Sequence, residues 1–286
     1  MIQEVDFVKC CPANNMTILV MSELPAEQRS RIASQMMNYG HLYAEQVGFV
    51  EKPARPGFAA KLHMAGGEFC GNASLALAAS LASERSLSTG ESMQLTLIVS
   101  GSEHPVSCRV QKLDKDYWCE AGMPVPISAE TAVIPFEGAL LELGIVRYGG
   151  SFHLIIDIER FGIERAAAER LAKLLGIASG ANLVGVMLYR PSAGEMAPLI
   201  FIPSLDSLVW EQGCGSGTAS LGCYLAWIAR AAIDTPVRQP GGIIQVSVSW
   251  DSESIGGVTI GTAVGIVARG KAYVEGTVHY SMQGGL

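Results

Sequence analysis

The sequence predicts an α+β fold made of two similar halves, and three observations carry that prediction. Short runs of alternating or β-branched residues recur along most of the chain, usually bounded by Gly, Pro, Asn or Ser, as strands are. Helical patterns are few and lie between the strand runs. Two of those helices open on the same Cys-Gly pair, at Cys70 and Cys214, 144 residues apart in a chain of 286.

In chain order, the strand pattern covers Met16 to Val20, Gln46 to Val50, Met93 to Val99, His153 to Ile158, Leu183 to Leu188, Leu199 to Ile202, Ile243 to Ser249, Val258 to Val264 and Ala272 to Val278. Each run is about the length of an ordinary strand. Helical spacing falls on Ala26 to Met37, Asn72 to Glu84, Ile163 to Leu175 and Gly217 to Ile233. The second and fourth are apolar or small-residue-rich almost all round, the pattern of a helix enclosed by other structure. Their entrances match: Glu68-Phe69-Cys70-Gly71-Asn72-Ala73-Ser74-Leu75 against Glu211-Gln212-Gly213-Cys214-Gly215-Ser216-Gly217-Thr218-Ala219-Ser220-Leu221. An insertion of two residues brings Ala-Ser-Leu back into step. Gln46-Val47-Gly48-Phe49 and Leu183-Val184-Gly185-Val186 echo each other upstream. The repeat implies two similar domains, each centred on a buried helix with a cysteine at its start.

Composition excludes several classes of function. Apolar residues make up 49% of the chain and charged ones 16%, so it folds compactly. The net charge of −7 and the absence of a basic run argue against nucleic acid. No apolar stretch approaches the roughly 20 residues of a membrane span, and the acidic start Met1-Ile2-Gln3-Glu4 is unlike a signal peptide; the expected location is cytoplasmic. Seven cysteines, an odd number, imply reduced thiols rather than a disulfide framework. Without CxxC, HExxH or clustered histidines, no metal is expected. Gly265 to Lys271 nearly spells a phosphate loop, but Ala272 stands where Ser or Thr would hold magnesium.

The two helix-start cysteines carry the chemistry. A helix N-terminus offers unpaired N–H groups and the positive end of a dipole, which is expected to bring a thiol pKa down toward neutrality. Two such starts facing one cleft could hold a carboxylate on their N–H groups while two sulfurs approach one carbon from opposite faces, the arrangement of a two-base racemase. Cys10, Cys11, Cys108, Cys119 and Cys223 read instead as small core hydrophobes.

Cys70-Gly71-Asn72-Ala73 and Trp210-Glu211-x-x-Cys214-Gly215-Ser216-Gly217 resemble the diaminopimelate epimerase-like superfamily of cofactor-independent amino-acid racemases. With Asn15-Met16-Thr17, Glu45-Gln46-Val47-Gly48-Phe49, Pro198-Leu199-Ile200 and Gln239-Pro240-Gly241-Gly242, the chain is most similar to the histidine racemases of staphylopine-type metallophore biosynthesis. The resemblance implies two pseudo-symmetric domains, each a β-barrel-like sheet around a central helix: residues 1–130, completed by about 268–286, and 131–267. It implies a cofactor-free isomerase acting on an amino acid, L- and D-histidine first, with a homodimer as the common superfamily assembly. Cys70 and Cys214 are then the acid–base pair, and Asn15, Glu45, Gly71, Asn72, His153, Glu211, Gly215 and Ser216 line the substrate. Diaminopimelate epimerases usually carry Arg where this chain has Gln212 and an Asn-Ala-Asp-Gly lead where it has Met64-Ala65-Gly66-Gly67. Losing that cation and amide disfavours a second substrate carboxylate. Another amino-acid racemase or epimerase, such as diaminopimelate epimerase, and a non-catalytic binding protein are the alternatives.

Overall fold

The computed structural model describes residues 2–275. Elements run β1 (Ile2–Pro12), β2 (Thr17–Val20), α1 (Ala26–Met37), β3 (Gln46–Glu51), β4 (Ala60–Met64), α2 (Gly71–Glu84), β5 (Ser92–Val99), β6 (Val106–Lys112), β7 (Tyr117–Met123), β8 (Ser128–Phe136), β9 (Ala139–Tyr148), β10 (Ser151–Asp157), α3 (Ile158–Phe161), α4 (Arg165–Ser179), β11 (Leu183–Arg190), β12 (Glu195–Ile202), β13 (Ser207–Trp210), α5 (Gly215–Ala229), β14 (Ile233–Gln239), β15 (Gly242–Asp251) and β16 (Ser254–Glu275). The strands form one mixed sheet in the order β1-β2-β3-β4-β5-β6-β7-β16-β15-β14-β12-β11-β10-β9-β8, with β13 on β12 and β1 also pairing β16. The fold is sheet-rich α+β.

The same pairing sequence occurs twice. β2 runs parallel to β3 and β10 parallel to β11, each after a helical crossover, with Leu19 opposite Gly48 and His153 opposite Gly185. An antiparallel strand follows each, then a cysteine-capped helix, then an antiparallel meander, β5-β6-β7 or β14-β15-β16. The long β16 joins the two meanders. Its first part pairs β7, and Val264 to Glu275 pair β1.

Burial follows from this wrapping. α2 touches β1, β2, β3, β5, β6, β7 and β16, and all but three of its fourteen residues are buried. α5 is enclosed by β8 to β11 and β14 to β16. Ala, Ser and Gly keep both helices slim enough for strands on every side, so a larger residue at Ala76 or Ala219 would overpack, at about 1–3 kcal/mol. Leu75, Leu77, Leu97, Val110, Ala219, Val246 and Ile260 belong to one continuous core. α1 buries Ile32 and Met36 against Phe49, and α4 buries Leu171 and Ala172 against Leu154, Ile156 and Val186.

Several boundaries differ from the sequence reading. The strand expected to reach Ile158 ends at Asp157, whose carboxylate accepts from the N–H groups of Glu159 (2.9 Å) and Arg160 (3.2 Å) and so starts α3. The helix expected to span 217–233 starts two residues earlier and stops at Arg230, which adopts φ +50° and leaves Ile233 free to begin β14. Residues 276–278 of the last expected strand, and 276–286 of the expected domain completion, lie outside the described residues. Among the described residues no helix is long and apolar enough to cross a membrane.

Candidate active site

Cys70 and Cys214 cap α2 and α5 in the same way. Both have extended backbones, and each sulfur accepts an N–H three residues on: Ala73 to Cys70 at 3.4 Å, Gly217 to Cys214 at 3.2 Å. Each carbonyl also takes the hydroxyl four residues on, Ser74 at 2.9 Å and Thr218 at 2.6 Å. The two starts therefore superpose at a constant spacing of 144. The two-residue insertion read from Ala-Ser-Leu is corrected: Ala73 matches Gly217, and the second Ala-Ser-Leu begins two residues deeper in its helix. The first N–H groups of each helix, at Gly71 and Asn72 and at Gly215 and Ser216, have no intrahelical acceptor to reach.

The two starts meet. A Cβ added at Gly71 would lie 2.9 Å from Ile260 Cδ1, and one at Gly215 would lie 2.8 Å from the same atom. Asn72 Nδ2 donates to the Gly213 carbonyl at 2.9 Å, tying the first helix to the turn that opens the second. Asn72 Oδ1 is buried with no partner among the described residues. The β1–β2 turn also docks here: Ala13 and Asn14 both have positive φ, and the Ala13 carbonyl fills the space in which a Gly213 side chain would sit. Asn15, the next residue, is fully buried. Its Nδ2 donates to Glu45 Oε2 at 3.0 Å.

The electrostatics are set by carboxyls, Glu45, Glu68 and Glu211, that have no ion-pair partner among the described residues. Burial raises Glu45 to about 7, and it raises Glu211 to about 7, with the Glu45 charge adding to the latter. Glu211 lies three residues before Cys214 in the turn that opens the second helix. The expected lowering of the thiols is present in the backbone N–H bonds, but burial outweighs it and nearby carboxylates add to burial. Cys70 rises to about 12, with Glu68 and Glu211 contributing, and Cys214 is pushed well above the usual thiol range, again with Glu211 contributing. Both sulfurs are accordingly held as thiols. Cys70 is half-buried and Cys214 buried, the latter also 3.4 Å from Ser216 Oγ.

His153 is buried on β10, with Nδ1 2.6 Å from Ser220 Oγ, which is 2.9 Å from the Tyr148 hydroxyl. Ser220 stands six residues beyond the cap, about 9 Å along the helix at 1.5 Å per residue. Burial holds His153 down at about 4, so it is neutral. Gln239 was missed as a site residue. Its Oε1 accepts from the Cys214 N–H at 2.7 Å and its Nε2 donates to Thr218 Oγ1 at 2.7 Å, closing a buried ring around the cap. The only sequence signal was its place in the Gln-Pro-Gly-Gly segment. Among the described residues, no three His, Cys, Asp or Glu side chains gather as a metal ion would need.

Residues 4–273 match the family described as "Histidine racemase CntK N-terminal domain". A histidine racemase from Staphylococcus aureus (strain Mu50 / ATCC 700699) is 34% identical over 277 residues, 96% of this chain and 99% of that protein. One from Fusobacterium nucleatum subsp. nucleatum (strain ATCC 23726 / VPI 4351) is 30% identical, covering 96% and 98%. Among solved structures, a hydroxyproline epimerase from Agrobacterium vitis superposes with a TM-score of 0.67 at 14% identity, covering 94% of this chain and 91% of that one. A PhzF-family phenazine biosynthesis protein from Bacillus anthracis gives 0.68 at 14% identity, covering 95% and 99%. These structures are alike in fold.

Proposed function

The chain belongs to the histidine racemase family, and from that premise we propose that it interconverts L- and D-histidine with two opposed thiols and no organic cofactor. The observation that carries this reading is the pair of matched cysteine caps on helix starts that pack against one atom of Ile260. The N–H groups of Gly71, Asn72, Gly215 and Ser216 hold the substrate carboxylate. Asn15, Glu45 and Glu211 line the rest of the pocket. One sulfur, as thiolate, takes the α-proton; the C–H electron pair moves into the carboxylate, where the N–H groups and helix dipoles stabilise it. The opposite thiol then protonates the other face, and the two sulfurs end with exchanged protonation states.

Substrate binding supplies the missing thiolate. Glu211 is one of the charges that hold both sulfurs protonated, and an α-ammonium paired with it cancels that charge and brings a positive group beside the thiols. A second carboxyl, Glu45, suits a substrate with a further proton-bearing group, as histidine has. His153 acts at a distance, through Ser220, as a positioning residue for α5. We also assign the halves to two pseudo-symmetric domains of the diaminopimelate epimerase-like type, 1–130 and 131–267. β16 supports this by pairing with both meanders. The reaction needs two reduced thiols, which suits the cytoplasm.

The test is α-proton exchange and racemisation of L-histidine in D₂O, with and without EDTA. The wild type should exchange and racemise in both. Cys70→Ser and Cys214→Ser should each lose racemisation by about 10²–10⁴-fold, the contribution of one positioned acid–base group, and should retain exchange on opposite enantiomers. Racemisation undiminished in either variant would defeat the two-thiol assignment.

A further inference from the structure

We propose that Glu45, held by Asn15, is the specificity-determining residue that receives the ring N–H of the substrate's imidazole; this rests on the racemase reading above. A racemase holds the same three heavy substituents of the α-carbon for both enantiomers and changes only the face that bears hydrogen. Each substituent therefore needs its own anchor. The helix starts take the carboxylate. Glu211 lies in the turn that opens the second helix, three residues before Cys214, with its N–H fixed on the Pro198 carbonyl at 3.0 Å, and its carboxyl is the anchor for the ammonium beside the α-carbon. The side chain is left for an anchor one step further out.

Glu45 occupies that step. Its holder Asn15 follows the Ala13–Asn14 turn that packs against Gly213, the residue before Cys214. One carboxyl oxygen is fixed by Asn15 Nδ2 at 3.0 Å, and Asn15 is itself held, its Oδ1 3.3 Å from the Thr17 hydroxyl. Among the described residues no Lys, Arg or His lies within ion-pair distance of Glu45. A half-buried carboxyl that is oriented but lacks a cation is an acceptor for a donor from outside the chain. Burial brings it to about 7, close to an imidazole at about 6.5, so carboxyl and ring share one proton readily.

The internal repeat shows that the fold does not need this pair. Glu45 N–H donates to the Met16 carbonyl at 2.8 Å, and at the matching place Asn182 N–H donates to the Gly150 carbonyl at 2.8 Å. The backbone is the same, yet the second half has Asn182 for Glu45 and Gly149 for Asn15. The carboxyl and its holder belong to one half only, as an anchor for a single side chain must.

The experiment compares L-histidine with β-(2-thienyl)-L-alanine, a ring of similar shape without an N–H, in wild type, Glu45→Leu and Glu45→Gln. The wild type should prefer histidine by about 10²-fold or more in kcat/KM, since a polar site rejects the analogue that leaves it unpaired. Glu45→Leu should lose about 10²-fold on histidine, chiefly through KM, and only a few-fold on the thienyl substrate, so that the preference collapses. Glu45→Gln keeps an acceptor and should fall between them; it gives the answer if the leucine variant does not fold. Equal losses on both substrates, or an unchanged preference, would overturn the role of Glu45. A wild type inert toward histidine but active on another amino acid would overturn the histidine reading itself.

Discussion

Replacing Gly215 with alanine tests whether the two helix starts are in contact. The added Cβ would stand 2.8 Å from Ile260 Cδ1 and 3.2 Å from Asn72 Oδ1, where carbon atoms prefer about 3.5–4.0 Å. The helix start must retreat by up to about 1 Å or the core must give way, an overpacking cost of about 1–3 kcal/mol. A displacement of that size at a reacting centre is worth up to about 10²-fold in rate. Ile260→Val removes the atom in conflict and by itself costs about 0.5–1.5 kcal/mol. In the double variant the two losses should not add: we expect a coupling of about 1 kcal/mol or more in thermal unfolding and recovery of most of the racemisation rate. The same suppressor should help Gly71→Ala only in part, because Met123 Sδ stands 2.9 Å from the new Cβ there. Wild-type activity in Gly215→Ala, or strictly additive losses, would show that the helix starts are further apart than described.

Two other perturbations read the electrostatics and the cap. Glu45 and Glu211 are both raised to about 7 from an unfolded value near 4.3, so the stability they contribute is complete below pH of about 4 and is lost as pH rises through about 7. The ligand-free protein should melt at a lower temperature at pH 8 than at pH 5, and Glu45→Gln with Glu211→Gln should flatten that decline; an equally steep decline in the double variant would refute the burial of these charges. Gln239→Leu strands the buried Cys214 N–H, at about 1–3 kcal/mol, and should cut racemisation at least tenfold while iodoacetamide labels Cys70 at the wild-type rate. Faster labelling of Cys70 would mean general loosening rather than loss of one cap.

What the sequence made legible is what local chemistry decides. The two buried helices could be read because Ala, Ser, Leu and Gly leave no polar stripe, and the caps because Cys-Gly recurs at half-length spacing. β1, β4, β6, β7, β8, β9, β13 and β14 were not read. β8 is an edge strand carrying Glu130, Thr131 and Pro135, and Pro236 interrupts β14, so neither shows the apolar alternation of a half-buried strand. The high thiol pKa values were illegible for another reason. A helix start is a local feature, whereas the burial that outweighs it comes from strands contributed by the whole chain. His153 matched a motif by position, but its orientation toward Ser220 depends on a helix more than sixty residues away.

The likeness of the two halves stops at the caps, and that difference has a kinetic meaning. Cys214 is buried, 3.4 Å from Ser216 Oγ and braced by Gln239; Cys70 is half-buried and among the described residues has no such side-chain partners. Enantiomers have equal free energies in water, so no arrangement of residues biases the equilibrium between them. The asymmetry can appear only in how each direction divides between binding and turnover, with kcat/KM equal for L- and D-histidine. KM and kcat should therefore differ between the enantiomers by the same factor. Substitutions around Cys214 alone, such as Gln239→Leu, should change that factor and leave the two kcat/KM values equal to each other; unequal values at equilibrium would mean that a reaction other than racemisation was being measured.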